Sequence, residues 1–421
     1  MTPRPHPDTL AVHAGRDDFA ALGVHAPPLD LSSTYPVHDL AAGMASLDAM
    51  VAGGEPTSAG GSVYSRLHNP TVARAESAIA ALEGAHGCVA FASGMAAYTA
   101  VLLAMARGRH VVAVRPLYGS ADHLLASGLL GCEVTFTDAD GVAAALRPDT
   151  ALVCLETPTN PTVELLSVRD VVRQAQGVPV LVDATFATPL RLRPLDLGAT
   201  LVLHSATKAL AGHGDVLAGV VSTSDAAVLG TLRQVRLLTG SVLHPMAAYL
   251  LHRGLATLAV RVDRAESTAR VLAERLASHP AVAAVHWPGL AGGDPRGMLG
   301  VEQTGPGSVL AFELASDDPA APGRLLAALR LITPAVSLGS TDTLIQHPAS
   351  LTHRVVPEAV REGSGIGGRL LRVSVGLEGV EDLWGDLVGA LARAGGADGA
   401  VGLSALPSWS GAQRAPLMTA R

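Results

Sequence analysis

One stretch of the sequence, LVLHSATKALAGHGDVLAG at residues 201–219, combines residue types that can do amine chemistry. Lys208 comes shortly after an apolar run that favours a strand, and Ser205 and Thr207 stand beside it. A lysine at a strand end can be desolvated, lose its proton near neutral pH and attack a carbonyl carbon. The neighbouring hydroxyls could hold a phosphate. The stretch therefore suits a ligand that carries an aldehyde and a phosphate, although a solvated lysine after a strand would give the same letters.

Three further side chains could act on such a ligand or on its reaction partner. Asp183 ends the apolar run VPVLVD, where a buried carboxylate needs a cationic partner. Tyr118, in RPLYGS, offers a ring for stacking and a hydroxyl for proton transfer. Arg372, in the alternating run LLRVSVGLE, suits bidentate capture of a carboxylate. The structural alternatives are a helix cap or salt bridge at Asp183, a packed turn tyrosine at Tyr118 and a surface ion pair at Arg372.

Two turn sequences offer additional polar contacts. FASGMAA places Ser93, Gly94 and Met95 where a strand turns into a helix, and the free N–H groups of a helix start can bind an anion. A Ser-Gly pair also starts many helices that bind nothing. Asn160, in ETPTNPT, could contact a ligand oxygen or could simply form an Asn-Pro turn.

Short apolar runs that alternate with segments of helical length must position these side chains. We predict strands at 88–92, 110–114, 133–137, 151–155, 179–183, 200–204 and 216–222. This spacing implies βαβ units, and therefore an α/β fold with a mainly parallel seven-stranded sheet and helices on both faces. Ligands bind outside the carboxyl ends of the strands in such sheets, so the polar residues are expected to converge on one edge.

The rest of the chain predicts four regions. They are an N-terminal arm at 1–60 with one short helix near 40–50, a large domain at 61–255, a smaller α+β C-terminal domain at 256–396 and a low-complexity, mobile tail at 397–421. The C-terminal domain is expected to contain strands at 281–286, 308–314, 335–338 and 370–376, and a last helix at 380–394.

Composition argues against several classes of protein. The net charge of −7 over 421 residues gives no electrostatic support for nucleic-acid binding. Cys88, Cys132 and Cys154 lie in apolar runs without metal-ligand spacing, so we expect buried thiols and no metal site. The N-terminus has no basic-then-apolar signal and no apolar run reaches membrane-spanning length, so we expect a cytoplasmic protein without a membrane partner.

Several motifs occur in the order found in one enzyme family. They are YSRLHNPT, ASGMAA, LYG, ETPTNP, VDATFATP, HSATKALAGHGD, AVSLG, TLIQHPASLTH and LRVSVGLE. The chain resembles the Cys/Met-metabolism family of pyridoxal-phosphate (PLP) enzymes, which includes methionine γ-lyase, cystathionine γ-lyase, cystathionine γ-synthase and O-acetylhomoserine sulfhydrylase. The resemblance runs from AVHAG at 11–15 to about residue 394, and TLIQHPASLTH favours the methionine γ-lyase branch. It implies the fold type I architecture of PLP enzymes.

The resemblance also implies a role for each matching residue. Lys208 would form the Schiff base with the cofactor and shuttle protons, Asp183 would pair with the pyridine nitrogen, and Tyr118 would stack on the ring and protonate the γ leaving group. The implied phosphate ligands are Ser93, Gly94, Met95, Ser205 and Thr207. Tyr64 and Arg66 would reach the phosphate of a neighbouring subunit. The substrate carboxylate would be bound by Arg372, Ser337 and Asn160, and Asn160 would also lie near the cofactor.

The implied reaction is γ-elimination on a γ-substituted L-amino acid, which gives a 2-oxo acid, ammonia and the leaving group. The implied assembly is a homotetramer in which the active sites are shared and the 1–60 arm lies on a neighbouring subunit. Two alternatives remain open: γ-substitution of an O-acylated homoserine by a thiol, and a catalytically silent relative that only binds the cofactor.

Three departures from the family pattern leave the substrate open. Ala184 stands where the family usually has Asn. Ser120 and Ala121 stand where methionine γ-lyases usually have Cys and then Thr. Ser340 and Asp342 stand where relatives commonly have Gly or Asp and then Glu. We expect these positions to lie at or near the pocket, with Ser120 and Ser340 contacting substrate. An acyl ester or a halide is then an alternative to a thioether as the γ leaving group.

Overall fold

The computed structural model describes residues 5–395, and a seven-stranded sheet forms the centre of its larger part. The strands are β1 Gly87–Phe91, β2 His110–Val114, β3 Glu133–Thr137, β4 Thr150–Glu156, β5 Val180–Asp183, β6 Leu201–His204 and β7 Gly219–Thr223. Their order across the sheet is β1-β7-β6-β5-β4-β2-β3. The pairs from β6 to β3 are parallel, and only β7 runs against its neighbours. The predicted sheet is confirmed.

Helices cover both faces of this sheet. They are α4 Pro70–Glu83, α5 Gly94–Met105, α6 Gly119–Ala126, α7 Val142–Ala145, α8 Val168–Gln174, α9 Thr188–Arg191, α10 Ala226–Thr239 and α11 Pro245–Leu255. Helices α5, α6 and α10 pack on one face, whereas α4, α8 and α11 pack on the other. Helix α4 carries its own start and end signals, because Asn69 accepts the N–H groups of Thr71 and Val72, and Gly84 ends it with φ +71°.

The second sheet belongs to the C-terminal part. Its strands are β8 Val282–His286, β9 Val309–Leu314, β10 Thr333–Pro334, β11 Leu344–Gln346 and β12 Leu370–Ser374, in the order β10-β11-β12-β9-β8. The helices of this part are α12 Leu258–Ala277, α13 Ala321–Ala328, α14 Glu358–Gly363 and α15 Val380–Ala394. A separate apolar core with the buried Trp287 joins α12, α13 and α15 to this sheet. The predicted smaller α+β domain is confirmed, whereas its exact boundaries remain a prediction.

One predicted strand of this domain is wrong. Residues 335–338 form a loop, because Ser337 has φ +90°, a left-handed conformation that interrupts an extended chain. The strand beside β12 is β11, in which Gln346 pairs with Arg372. The predicted strand at 216–222 also begins late, at Gly219, because Val216 is buried in a loop.

The N-terminal arm is more ordered than predicted. Besides α3, Leu40–Val51, it contains α1, Pro7–His13, and α2, Phe19–Leu22, which are too short to show a helical period in the sequence. Helix α1 packs on α4 of the same chain, and Asp18 pairs with Arg74. Contact of the 1–60 arm with a neighbouring subunit stays a prediction. The predicted tail at 397–421 lies outside the described residues.

Across residues 5–395, none of the helices has the length and apolar character needed to span a membrane.

Candidate active site

A cavity of about 380 Å³ opens at the carboxyl edge of the large sheet, where the second sheet meets it. Its wall includes most of the predicted site residues: Ser93, Gly94, Met95, Tyr118, Asn160, Asp183, Ser205, Thr207, Lys208, Ser337 and Arg372. The remaining lining residues are Tyr98, Ala121, Glu156, Thr185, Phe186, Leu203, Leu217, Val336, Leu338 and Thr352. The convergence expected from the strand ends is therefore present.

Lys208 supplies the amine of this cavity and is the only lysine among the 421 residues. Strand β6 ends at His204, and the turn that follows brings Lys208 into the wall. Its Nζ donates to Ser337 Oγ at 2.7 Å. Burial, with a smaller contribution from the positive charge of Arg372, lowers the pKa of Lys208 to about 8. A substantial fraction of this amine is therefore neutral and nucleophilic near neutral pH.

The start of α5 forms the anion-binding end of the cavity. Ser93 caps the helix by accepting the N–H of Ala96 at 3.1 Å, which leaves the N–H groups of Gly94 and Met95 without intrahelical acceptors. A Cβ at Gly94 would approach the Cβ of Ser205 to 3.0 Å, so glycine lets the helix start and this turn lie together. Free N–H groups, hydroxyls and the helix dipole together suit a phosphate.

Asp183 provides a carboxylate at the end of β5. Thr185 donates both its backbone N–H, at 3.0 Å, and its hydroxyl, at 2.5 Å, to Asp183 Oδ1. Thr185 Oγ1 in turn accepts the N–H of Ser205 at 2.8 Å, which ties Asp183 to the lysine-bearing turn. Burial raises the pKa of Asp183, and the Thr185 contacts oppose that rise. A cationic group in the cavity would stabilise the ionised form.

Glu156 is a cavity residue that the sequence interpretation missed. It ends β4 in register with Asp183 on β5, and its Oε2 accepts the backbone N–H of Tyr118 at 2.5 Å. Burial, and then the nearby charge of Asp183, raise the pKa of Glu156 well above its usual range. The sequence did contain the signal, since LVCLE ends in an acid in the same way as VPVLVD. Glu156 thereby holds the backbone that carries the Tyr118 ring.

Arg372 supplies the cation of the cavity. Its Nη1 donates to Asn160 Oδ1 at 2.8 Å, and its Nη2 donates to the carbonyl oxygen of Ser337 at 2.7 Å. Burial lowers the pKa of Arg372 to about 10, so it remains charged near pH 7. Ser337 therefore contacts both Arg372 and Lys208, and its positive φ is held by these contacts.

Four predicted site residues lie outside the wall of this cavity. The ring of Tyr64 is 44% exposed, and Arg66 stacks over it at 5.6 Å while donating to the carbonyl oxygen of Leu237. Ser120 lies in the first turn of α6, and Ser340 Oγ donates to Asp342 at 2.6 Å.

Ala184, the third departure from the family pattern, also lies away from the wall. It is fully buried with Val182 and Val202 in the core that faces α8. Ala184 stands between the lining residues Asp183 and Thr185, so it is near the cavity without lining it.

The donor set of the cavity fits PLP. The amine of Lys208, with its lowered pKa, suits the aldehyde of PLP. The second carboxylate oxygen of Asp183 suits the ring nitrogen. The start of α5 and the neighbouring hydroxyls suit the phosphate. The residues that would hold the cofactor are Lys208, Asp183, Tyr118, Ser93, Gly94, Met95, Ser205 and Thr207.

Comparisons with known proteins agree with this fit. The model of the family described as Cys/Met metabolism PLP-dependent enzyme matches residues 8–392. The chain is 56% identical over 416 residues to the L-methionine gamma-lyase of Streptomyces avermitilis, and the alignment covers 98% of this chain and 93% of that protein. It is 54% identical over 389 residues to the L-methionine gamma-lyase of Brevibacterium sandarakinum, with 92% and 97% covered.

Solved structures give the same result for the fold. One match is cystathionine gamma synthase from Xanthomonas oryzae pv. oryzae in complex with aminoacrylate and cysteine. Its TM-score is 0.86 at 35% sequence identity, and the match covers 94% of this chain and 100% of that chain. Cystathionine gamma-lyase from Lactobacillus plantarum, complexed with L-serine, matches with a TM-score of 0.85 at 32% identity, with 93% and 100% covered.

Proposed function

Since this chain belongs to the Cys/Met metabolism family of PLP-dependent enzymes, we propose that it catalyses γ-elimination on a γ-substituted L-amino acid, with L-methionine as the first candidate. The products would be a 2-oxo acid, ammonia and the γ leaving group. Three relatives named L-methionine gamma-lyase, at 52–56% identity over 92–98% of the chain, support this choice.

The contacts of Ser337 are the structural observation that best supports the proposal. Ser337 accepts from Lys208 Nζ through its hydroxyl and from Arg372 Nη2 through its carbonyl oxygen. A proton-transferring amine and a carboxylate-binding guanidinium are thus held side by side at the open side of the cavity. An α-amino acid presents a carboxylate next to the Cα proton that must be removed, and this pair matches both groups.

Each proposed role follows from a side chain of this chain. Bound PLP supplies the electron sink that stabilises negative charge at the substrate α-carbon. Arg372 binds the α-carboxylate, and Lys208 Nζ takes and returns the proton at Cα. The phenol of Tyr118 donates a proton to the departing γ substituent, and the carboxylate of Asp183 keeps the ring nitrogen protonated.

A second candidate is γ-substitution, in which an external thiol replaces the leaving group. The match to a solved cystathionine gamma synthase favours keeping this alternative. The same cavity residues serve both reactions, so the difference lies in whether a thiol can enter.

A substrate panel tests the proposal. The holoenzyme is incubated, with and without added thiol, with L-methionine, L-cystathionine, O-acetylhomoserine or L-2-amino-4-chlorobutanoate. The 2-oxo acid and any new thioether are measured by mass spectrometry. We expect 2-oxo acid from L-methionine without thiol. A thioether from O-acetylhomoserine, with no 2-oxo acid from any compound, would establish substitution instead. A holoenzyme inactive on the whole panel would refute both reactions.

We further propose a homotetramer in which neighbouring subunits complete each cavity. Tyr64 and Arg66 lie outside the cavity of their own chain, which is consistent with a role in the cavity of a neighbouring subunit. Helix α3 supports association because it exposes an apolar stripe at helical spacing, formed by Leu40, Met44, Leu47 and Val51. A second copy of the chain would cover this stripe.

Replacing Arg66 with alanine tests the shared site. If Arg66 binds the phosphate of a neighbouring subunit, R66A loses one or two charge-assisted hydrogen bonds of about 1.5–3 kcal/mol each. The Kd of PLP, measured by fluorescence titration of cofactor-free protein, is then expected to rise roughly 10-fold or more. The exposed Arg169 on α8 gives the matched control R169A, whose affinity should not change. Equal PLP affinities of R66A and the wild-type protein would contradict the shared site.

A further inference from the structure

Arg372 is a buried cation whose partners in the described residues are all neutral. It is 2% exposed and donates to the amide oxygen of Asn160 and to the backbone carbonyl of Ser337. No carboxylate between residues 5 and 395 forms an ion pair with it. A buried charge of this kind is costly unless an anion arrives to pair with it. Glu156 is the acidic side chain of the cavity whose charge acts on Arg372, and it does so without an ion-pair contact.

Gln346 is the third neutral partner of Arg372, and no motif of the sequence assigned it a role. Strand β11 places Gln346 directly opposite Arg372 on β12, and Gln346 is 1% exposed. With the amide oriented so that Oε1 faces the guanidinium, Oε1 lies 2.9 Å from Nη2, 3.1 Å from Nη1 and 3.3 Å from Nε. Thr352 Oγ1 lies 3.1 Å from the same oxygen. The reverse orientation would set an NH₂ group against the guanidinium N–H groups.

The neutrality of Gln346 matters because a carboxylate fits in the same space. A glutamate at this position could accept the same guanidinium N–H groups, and its negative charge would pair with Arg372 permanently. An amide oxygen orients the guanidinium and satisfies its donors without cancelling its charge. The charge is then available to an incoming carboxylate.

We propose that Gln346 is a positioning residue that fixes the Arg372 guanidinium while leaving its positive charge free for the substrate α-carboxylate. This inference rests on the proposed role of Arg372 in the γ-elimination. Gln346 would raise the affinity of the site for amino acids relative to amines. It would do so by holding Arg372, without contact to the reacting carbon.

The test compares two ligands that differ only in the carboxylate. L-norleucine has no γ leaving group, and n-pentylamine is the same molecule without the carboxylate. Both are titrated into the holoenzyme, and Kd is read from the absorbance change of the bound cofactor. For Gln346→Glu, we expect the Kd of L-norleucine to rise roughly 30-fold or more, because the new carboxylate competes for the guanidinium and repels the ligand. The Kd of n-pentylamine should stay within about threefold of the wild-type value.

Two further variants complete the design. Gln346→Met keeps the volume and removes the acceptor, so the Kd of L-norleucine should rise about tenfold. Gln176→Glu adds the same charge at an exposed position just after α8 and should change neither Kd. Wild-type affinity of Gln346→Glu for L-norleucine would overturn the proposal, and so would equal weakening of both ligands. Since L-norleucine binding requires no elimination, this result is independent of the substrate panel.

Discussion

Replacing Lys208 with alanine is expected to reduce turnover of L-methionine at least roughly 10³-fold, because it removes both the nucleophilic amine and the group that moves the Cα proton. The wild-type amine is prepared for this chemistry, since burial lowers its pKa to about 8. The measurement is 2-oxo acid formation by purified holoenzyme under saturating substrate.

The lysine content of the chain makes a direct chemical control available. Lys208 is the only lysine in the sequence, so borohydride treatment of PLP-loaded wild-type protein should fix one cofactor per chain at Lys208. K208A should gain no cofactor at any side chain, while its circular dichroism spectrum stays that of the folded protein. Lys208→Arg keeps the charge and should be equally inactive. Activity of folded K208A within tenfold of wild type would contradict the assignment.

Replacing Asp183 with asparagine is expected to produce the second largest loss. The change keeps the shape and the Oδ1 acceptor for Thr185 but removes the charge that would face the ring nitrogen. Loss of one partner from a buried ion pair costs about 3–5 kcal/mol, which corresponds to a fall in kcat of roughly 10²- to 10³-fold or more. The Kd of PLP should rise as well, since the ring nitrogen loses its ionic partner.

Two variants separate this effect from general damage. Asp170→Asn makes the same chemical change at an exposed position of α8 and should leave kcat and PLP affinity unchanged. Asp183→Glu restores the charge and should recover part of the activity. A kcat for D183N within threefold of wild type would show that the ring nitrogen does not depend on Asp183.

The sequence predicted the large domain closely because its signals are local. Most strands of the seven-stranded sheet are short apolar runs, and α4 carries its own start and end in Asn69, Pro70 and Gly84. The predictions failed where local signals were weak or misleading. The apolar letters at 335–338 belong to a loop, and α1 and α2 are too short to show a period.

The candidate site was predicted to a similar extent. Ser93, Tyr118, Asp183 and Lys208 were found because they end strands or begin helices at the carboxyl edge, where the general rule for such sheets places a ligand. Glu156 was missed even though it ends β4 in the same way. The family resemblance assigned Tyr64 and Arg66 to the phosphate of a neighbouring subunit, and both lie outside the cavity of their own chain.

The sequence by itself determined the family and the cofactor and predicted the reactive amine, because these depend on residue types in ordered motifs. Only the tertiary structure decided how the charges of the cavity are paired. Lys208 meets Ser337 across 129 positions of sequence, and Arg372 meets Asn160 across 212. Neither separation leaves a local pattern, since such contacts depend on how two domains pack. The structure therefore showed that, within residues 5–395, the hydrogen-bond acceptors that hold Arg372 are neutral, with Gln346 as one of them.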